Sequence, residues 1–497
     1  NPFRLADDIW GIGFRTADGI AQKLGFEKEA FVRLRSGILY TLSSLADEGH
    51  VYARKKQLID RATELLEAEE SSVIMTLGQM MVDQNLFGQK IAEEEQAIYL
   101  PAFYYAETGT AGKLKRLLEA PAEDPLWKSL MAAREKTGNQ ELSIDVRKIE
   151  QKLQMEYDEV QAEAIRQAAT CKVMVLTGGP GTGKTTTVRG IISAYQAFGL
   201  NILLAAPTGR AAKRMTEATG LEAKTLHRLL EAKPPEGYQK NEENPLEGDV
   251  LIVDECSMID IVLMNALLRA IPPHMRLVLV GDIDQLPSVG AGNVLRDLMD
   301  SGVCKVVRLT KIFRQAQSSR IINEGLMPDL SNGKTTDFFF TEKEDPEEAV
   351  AEIVNLVQTK LSRYYQTPSS QIQVLTPMQK GVVGATNLNL ALQEALNPTG
   401  DGLRRSGYIF RVNDKVMQIR NNYDKEIFNG DIGMHDLTSR KAFGGDIYKT
   451  RGSHGCINLP YAAAKKIYET IDKGYCVLVY NLPGTESDSV KQKEAAA

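Results

Sequence analysis

The chain has 497 residues, 43% hydrophobic and 25% charged, with a formal net charge of -6; this fits a soluble globular protein of about three or four domains and excludes one coated throughout for nucleic acid. No apolar run reaches the roughly 18 residues that a membrane span needs, so no membrane partner is expected. The five cysteines are spread without a CxxC pair, which excludes a disulfide framework and a structural zinc site and fits a cytoplasmic protein.

Residues 1–65 read as helical. The opening Asn1-Pro2-Phe3-Arg4 is neither a start methionine nor a signal peptide, so the chain is expected to begin inside a longer protein. Ile9 to Phe14 followed by Thr16 to Ala21 predicts a helix, a tight glycine turn and a second helix. Such a hairpin either aims backbone N–H groups at a DNA phosphate or packs two helices in a small bundle. Residues 66–150 alternate helical patterns with short apolar stretches; Glu67 to Glu70 and Glu93-Glu94-Glu95 read as solvated helix faces.

From about residue 155, short apolar runs bounded by glycine recur at Val173–Leu176, Ile202–Ala205, Val250–Val253 and Leu277–Val280, with helical patterns between most of them. That texture predicts an α/β fold with a parallel sheet wrapped by helices. Residues 233–248, rich in Pro, Asn and Glu, read as an excursion between two strands. A second unit of the same kind is expected after Ser331, with Ile372–Leu375 its clearest strand. The last residues, 491–497, read as a disordered end.

Three strand ends carry the chemistry. Gly178-Gly179-Pro180-Gly181-Thr182-Gly183-Lys184-Thr185 fits GxxxxGK[ST] between a strand and a helix, the context a phosphate-binding loop requires. Its glycines let backbone N–H groups wrap phosphates, Lys184 neutralises β- and γ-phosphate charge, and the Thr185 hydroxyl binds Mg2+. The run Val250–Val253 ends in Asp254-Glu255, where Asp254 can hold Mg2+ and Glu255 can orient an attacking water. After Leu277–Val280 comes Gly281-Asp282-Ile283-Asp284-Gln285-Leu286-Pro287, in which Gln285 is placed to sense a γ-phosphate.

Further segments follow the same order: Ala206-Pro207-Thr208-Gly209-Arg210-Ala211-Ala212, Thr225-Leu226-His227-Arg228-Leu229-Leu230, Asp254-Glu255-Cys256-Ser257-Met258 and Ile312-Phe313-Arg314-Gln315. With the phosphate loop, this series resembles superfamily 1 DNA helicases of the RecD-like type over roughly residues 1–433. Val374-Leu375-Thr376-Pro377-Met378 and Val416 to Tyr423 resemble that family's second motor domain. The resemblance implies RecA-like P-loop motor domains, ATP and Mg2+ as cofactors, and 5′ to 3′ translocation on single-stranded DNA and DNA with a 5′ overhang. It places Gln161 near the adenine and Gly179, Pro180, Gly181, Thr182, Gly183, Lys184, Thr185 and Thr186 around the phosphates. It makes Asp254 and Glu255 hydrolytic residues, Gln285 a γ-phosphate sensor and Arg314 an arginine finger. Pro207, Thr208, Arg210 and His227 are set towards the DNA strand.

Past Gly433 the pattern breaks. The family's later His-Lys-Ser-Gln-Gly and Tyr-Thr-Ala-x-Thr-Arg types of segment are absent, and residues 320–328 look short. The stretch from about Gly430 instead resembles the L,D-transpeptidase (YkuD) family, in His435 and Ser453-His454-Gly455-Cys456-Ile457-Asn458. That resemblance implies Cys456 as acyl nucleophile, His435 or His454 as base, Ser453 and Gly455 beside them, and a peptidoglycan peptide as the tail's substrate. A join of two coding segments near Asn429 to Gly433 is the reading adopted.

The expected domains are therefore a helix-hairpin-helix-like DNA-binding region (1–65), a helical, winged-helix-like linker domain (66–150) and a RecA-like domain with the P-loop (151–330). A partial second RecA-like domain with an inserted small β domain (331–433) and a short β-rich tail (434–497) follow. A cysteine acyltransferase, and a nucleotide- and DNA-binding module without turnover, are the alternatives.

Overall fold

The computed structural model describes residues 2–3, 13–93, 95–120, 128, 132, 144–285, 287–311, 341–399, 402–405, 408–417 and 432–434. It divides into two compact units, Asn1–Met327 and Pro328–Ala497.

The first unit opens with helices α1 (Phe14–Lys23) and α2 (Phe31–Asp47), a short strand β1 (Ala53–Arg54), and helices α3 (Lys55–Leu66) and α4 (Glu70–Val82). Phe14, Ala17 and Ala21 recur at helical spacing and bury one face of α1 against Leu34, Ile38 and Leu42 of α2. Arg33, 2% exposed, is held in this core by both oxygens of Asp18 at 2.7 and 2.9 Å, and donates to the carbonyls of Lys28 and Leu66 at 2.8 and 3.0 Å. Ile9 to Ile12, the first half of the expected hairpin, lie outside the described residues.

Strands β2 (Phe87–Lys90) and β3 (Gln96–Tyr99) join β1 in a three-stranded antiparallel sheet of order β1-β3-β2. Of the two acidic runs, only Glu70 lies in a helix among the described residues, as the first residue of α4. Glu93 and Glu95 sit between β2 and β3, and Glu67, at φ 47°, ends α3. Hydrated carboxylates collect at these chain reversals, where no helix ladder has to form.

Helix α5 (Pro101–Glu119) returns to the central sheet, and α6 (Val146–Leu153) and α7 (Glu159–Thr170) precede it. The chain then alternates: β4 (Val173–Gly178), α8 (Lys184–Ala197), β5 (Ile202–Ala206), α9 (Gly209–Thr219), β6 (Ala223–Thr225) and the single turn α10 (Leu226–Leu229). A small antiparallel pair, β7 (Ala232–Lys233) and β8 (Gly237–Tyr238), opens the expected excursion. Strand β9 (Val250–Val253), α11 (Ile261–Ala270), β10 (Arg276–Gly281), α12 (Val294–Asp300) and β11 (Lys305–Leu309) complete the unit. Six strands form one parallel sheet in the order β11-β4-β10-β9-β5-β6.

Strands β4, β9 and β10 are buried at every position, as a parallel sheet covered on both faces requires. Val173, Val175, Leu251, Leu277 and Leu279 pack towards α5, α11 and α12. Met174, Leu176, Ile252, Val278 and Val280 pack with α6, α7 and α8. Helix α5 brings Ala106, Leu114 and Leu117 into the core it shares with Leu263 and Leu267 of α11. A Cβ at Gly109 would lie 2.6 Å from Asn265 Oδ1, so the two helices approach closely there. Glu242, from the excursion, accepts from Arg269 of α11 at 2.9 Å and lies 3.9 Å from Lys113 of α5.

In the second unit, α13 (Pro346–Asn355) runs through a π turn at Leu356–Lys360 into α14 (Leu361–Tyr364). Helix α15 (Ala385–Leu396) follows, and Val357, Ile372 and Leu392 form a small core. Strands β12 (Gly402–Arg405) and β13 (Tyr408–Arg411) pair antiparallel, as do β14 (Lys415–Met417) and β15 (Ile432–Met434). The expected strand at Ile372–Leu375 does not form among the described residues. Ile372 is extended and buried, but its carbonyl accepts from Lys415 Nζ at 3.5 Å rather than from a neighbouring strand.

Candidate functional site

Strand β4 sits between β11 and β10, and β10 sits between β4 and β9. Parallel strands end on the same edge, so the residues just past β4, β10 and β9 gather there, where open α/β sheets bind ligands. The structure thus brings the phosphate loop, Gly281-Asp282 and Asp254-Glu255 to one place.

The loop is built for close approach. Gly181 and Gly183 have φ of 75° and 81°, a region that favours glycine. A Cβ at Gly179 would meet nothing within 4 Å, whereas one at Gly178 would lie 2.7 Å from the Leu309 carbonyl of β11. Thr182 closes the turn with its hydroxyl on the Gly179 carbonyl at 2.8 Å. Pro180 and Thr185 are exposed, and Thr186 is half-buried. Lys184 begins α8 and folds back: its ammonium donates to the carbonyls of Gly178 and, at 3.2 Å, Gly179, and lies 3.8 Å from Asp282 Oδ2.

Gln161, 1% exposed, is turned inward. Its Oε1 accepts from the Asp158 N–H at 3.1 Å and its Nε2 donates to the Thr182 carbonyl at 3.5 Å, so it splints α7 to the phosphate loop. In this arrangement its side chain faces the loop rather than open solvent.

Asp254 is fixed through its backbone, whose N–H donates to the Ala205 carbonyl at 2.9 Å, and its Oδ1 accepts from the Glu255 N–H at 2.8 Å. Burial raises the Asp254 pKa above the usual carboxylate value, against the pull of the Glu255 N–H, Lys184 and Arg214. Glu255 is raised as well, by burial first and then by the Asp254 and Asp282 charges. It adopts a left-handed backbone, φ 54° and ψ 41°, that few residues other than glycine favour. Cys256 is buried, and its thiol is pushed well above its ordinary value, which leaves it unreactive.

Gln285 is exposed and donates from Nε2 to Asp282 Oδ2 at 3.2 Å. Pro207, Thr208 and Arg210 follow β5, and His227 follows β6. Since Ala206 pairs with Thr225, these four residues stand along one side of the same edge. The Thr208 hydroxyl caps α9 by accepting from the Ala211 N–H at 3.2 Å; Arg210 and His227 are exposed. Arg314, His435, Ser453, His454, Gly455 and Cys456 lie outside the described residues.

The residues fit a nucleoside triphosphate with Mg2+. A glycine cradle, an ammonium now resting on the loop's own carbonyls, an exposed Thr185 and a carboxylate at Asp254 surround one space. Two participants escaped the sequence reading. Asp282, 2% exposed, contacts both Lys184 and Gln285, and Arg214 of α9 opposes the upward pKa shifts of both acids. Asp282 stands inside the Gly281 to Pro287 segment, but only the strand order puts it between the loop and Asp254.

Comparison with known proteins points to helicases. Residues 161–291 match the AAA domain, residues 388–441 the ATP-dependent RecD-like DNA helicase SH3 domain, and residues 1–52 the ATP-dependent RecD2 DNA helicase HHH domain. The "ATP-dependent RecD2 DNA helicase" of Deinococcus radiodurans is 34% identical over 438 residues, 86% of this chain and 58% of that protein. The "RecBCD enzyme subunit RecD" of Mycolicibacterium smegmatis is 34% identical over 320 residues, 56% of this chain and 57% of that one. The chain thus spans somewhat more than half the length of these relatives. A crystal structure of Pif1 helicase from Candida albicans aligns with TM-score 0.31 at 19% identity, over 56% of this chain and 68% of that one.

The family models and the Deinococcus relative support a place among RecD2-like superfamily 1 helicases, and nothing found supports the transpeptidase resemblance. The SH3 match runs through residue 441 and takes in His435, which the sequence reading had given to the tail. The Ser453-His454-Gly455-Cys456 string lies beyond that match.

Proposed function

We propose that this RecD2-like chain is an ATP-dependent DNA helicase motor, which binds ATP on residues 178–186 and couples its hydrolysis to movement 5′ to 3′ along single-stranded DNA. The observation that carries the reading is the convergence of Lys184, Asp254, Glu255, Asp282 and Gln285 at the ends of three adjacent strands. Lys184 leaves the loop carbonyls to neutralise phosphate charge, and the loop N–H groups cradle the β-phosphate. Mg2+, when bound by Thr185 and Asp254, supplies charge neutralisation at the phosphates. Glu255, once ionised, accepts a proton from the attacking water, and Gln285 orients that water. Arg314 is proposed as the cation that stabilises transition-state charge.

Pro207, Thr208, Arg210 and His227 would meet the DNA backbone. They follow strands of the sheet that carries the acids, so a strand pressing on them can reach Asp254 through the Ala205 carbonyl. Such chemistry needs the ATP of the cytoplasm. The test is ATP hydrolysis by the purified chain, with and without single-stranded DNA, beside Lys184→Ala. DNA-stimulated turnover that disappears in the variant is expected. ATP bound without turnover, with or without DNA, would refute the motor and leave a binding module.

A further inference from the structure

Asp282 is the first residue past β10, between the strand that carries the phosphate loop and the strand that carries Asp254 and Glu255. Its side chain is 3% exposed and therefore poorly hydrated. Oδ1 accepts from the Asp284 N–H at 3.1 Å; Oδ2 accepts from Gln285 Nε2 at 3.2 Å and lies 3.8 Å from Lys184 Nζ. An ammonium has three donors and no acceptor, and those of Lys184 face two loop carbonyls and this carboxylate. Two partners are neutral, and the charged one decides how firmly the ammonium is kept from an incoming phosphate.

An ionised carboxylate can only accept, so Gln285 must turn its amide nitrogen towards Asp282 and present Oε1 outwards. That is the orientation in which a glutamine carbonyl accepts from a water poised to attack a phosphate.

The geometry points to Asp282 as a positioning residue with two opposed effects: it restrains Lys184 while the loop is empty, and it fixes the Gln285 amide for hydrolysis. This deepens the ATP-binding proposal and rests on it. When Lys184 moves to a phosphate, Asp282 loses its countercharge while still buried, and its remaining hold on Gln285 strengthens. Loading of the loop and alignment of the sensor are then one electrostatic event.

Asp282→Asn keeps the shape and one acceptor but removes the charge and lets the Gln285 amide turn. The full chain is titrated with a fluorescent ADP analogue, and ATP turnover is measured with oligo-dT, for wild type, Asp282→Asn and Gln285→Leu, with melting curves for each. Asp282→Asn should bind the analogue about tenfold more tightly, about 1.4 kcal/mol, yet turn over at least about tenfold more slowly. A residue that merely props the fold would weaken both. Gln285→Leu, at an exposed position, leaves the Lys184 ion pair in place and should slow turnover without tightening binding. Asp282→Asn binding no tighter than wild type, or Gln285→Leu tightening equally, overturns the inference. A wild-type chain that binds no nucleotide sinks the parent proposal instead.

Discussion

Glu255 combines two features that oppose folding, and they can be separated by substitution. Its left-handed backbone costs about 1 kcal/mol in a residue with a Cβ, and glycine would relieve that but lose about 0.5–1 kcal/mol to the entropy of its unfolded chain. The backbone effects in Glu255→Gly therefore nearly cancel. What remains is the charge, half-buried and partly screened by solvent, beside Asp254 and Asp282. Glu255→Gln removes that charge with the backbone unchanged, and should stabilise the nucleotide-free chain by about 1 kcal/mol, the usual size of one relieved functional compromise. The sign follows from proton binding. Because the folded-state pKa is raised, the native chain holds more protons than the unfolded one above the ordinary carboxylate value, so wild-type stability falls as pH rises through that window. The advantage of Gln should be full near pH 8 and shrink as pH is lowered towards the ordinary value. Melting temperatures of both proteins across that range test it, with an offset of about 2 °C expected at the alkaline end. A variant that melts no higher than wild type at about pH 8, or by a pH-independent margin, would refute the reasoning.

Asp18→Ala would strand the buried Arg33 guanidinium without its carboxylate; a loss of about 3–5 kcal/mol should appear in urea unfolding of the full chain. Gly190→Ala would put a methyl group 2.5 Å from Ile165 Cδ1 and 2.9 Å from the Tyr157 ring, where α8 packs on α7. Overpacking of about 1–3 kcal/mol should lower its urea midpoint, and an unchanged midpoint would show that Ile165 and Tyr157 both give way freely.

The parallel sheet was legible because its central strands are buried on both faces, and such strands must be written as unbroken apolar runs. The phosphate loop was legible for a different reason: glycine spacing and a terminal Lys-Thr are local requirements of binding. Asp282 could not be read this way, since its importance comes from β10 lying between β4 and β9, a fact of strand order. The Asp18–Arg33 pair is equally silent in the sequence, where both residues resemble ordinary surface charges. Ile372–Leu375 misled because a short apolar run reports burial, not pairing; Ile372 is buried in a three-residue core without a ladder.

Helix α5 has a consequence for how such a chain can be rearranged over time. It comes from the first part of the sequence, yet Ala106, Leu114 and Leu117 share a core with α11, in the layer over the sheet that holds the phosphate loop. A recombination breakpoint between residues 120 and 172 would deliver a descendant with α11 laid bare along Leu263 and Leu267, and with Glu242 deprived of Lys113. The front end and the nucleotide-binding sheet are thus obliged to be inherited together, whatever else the chain exchanges.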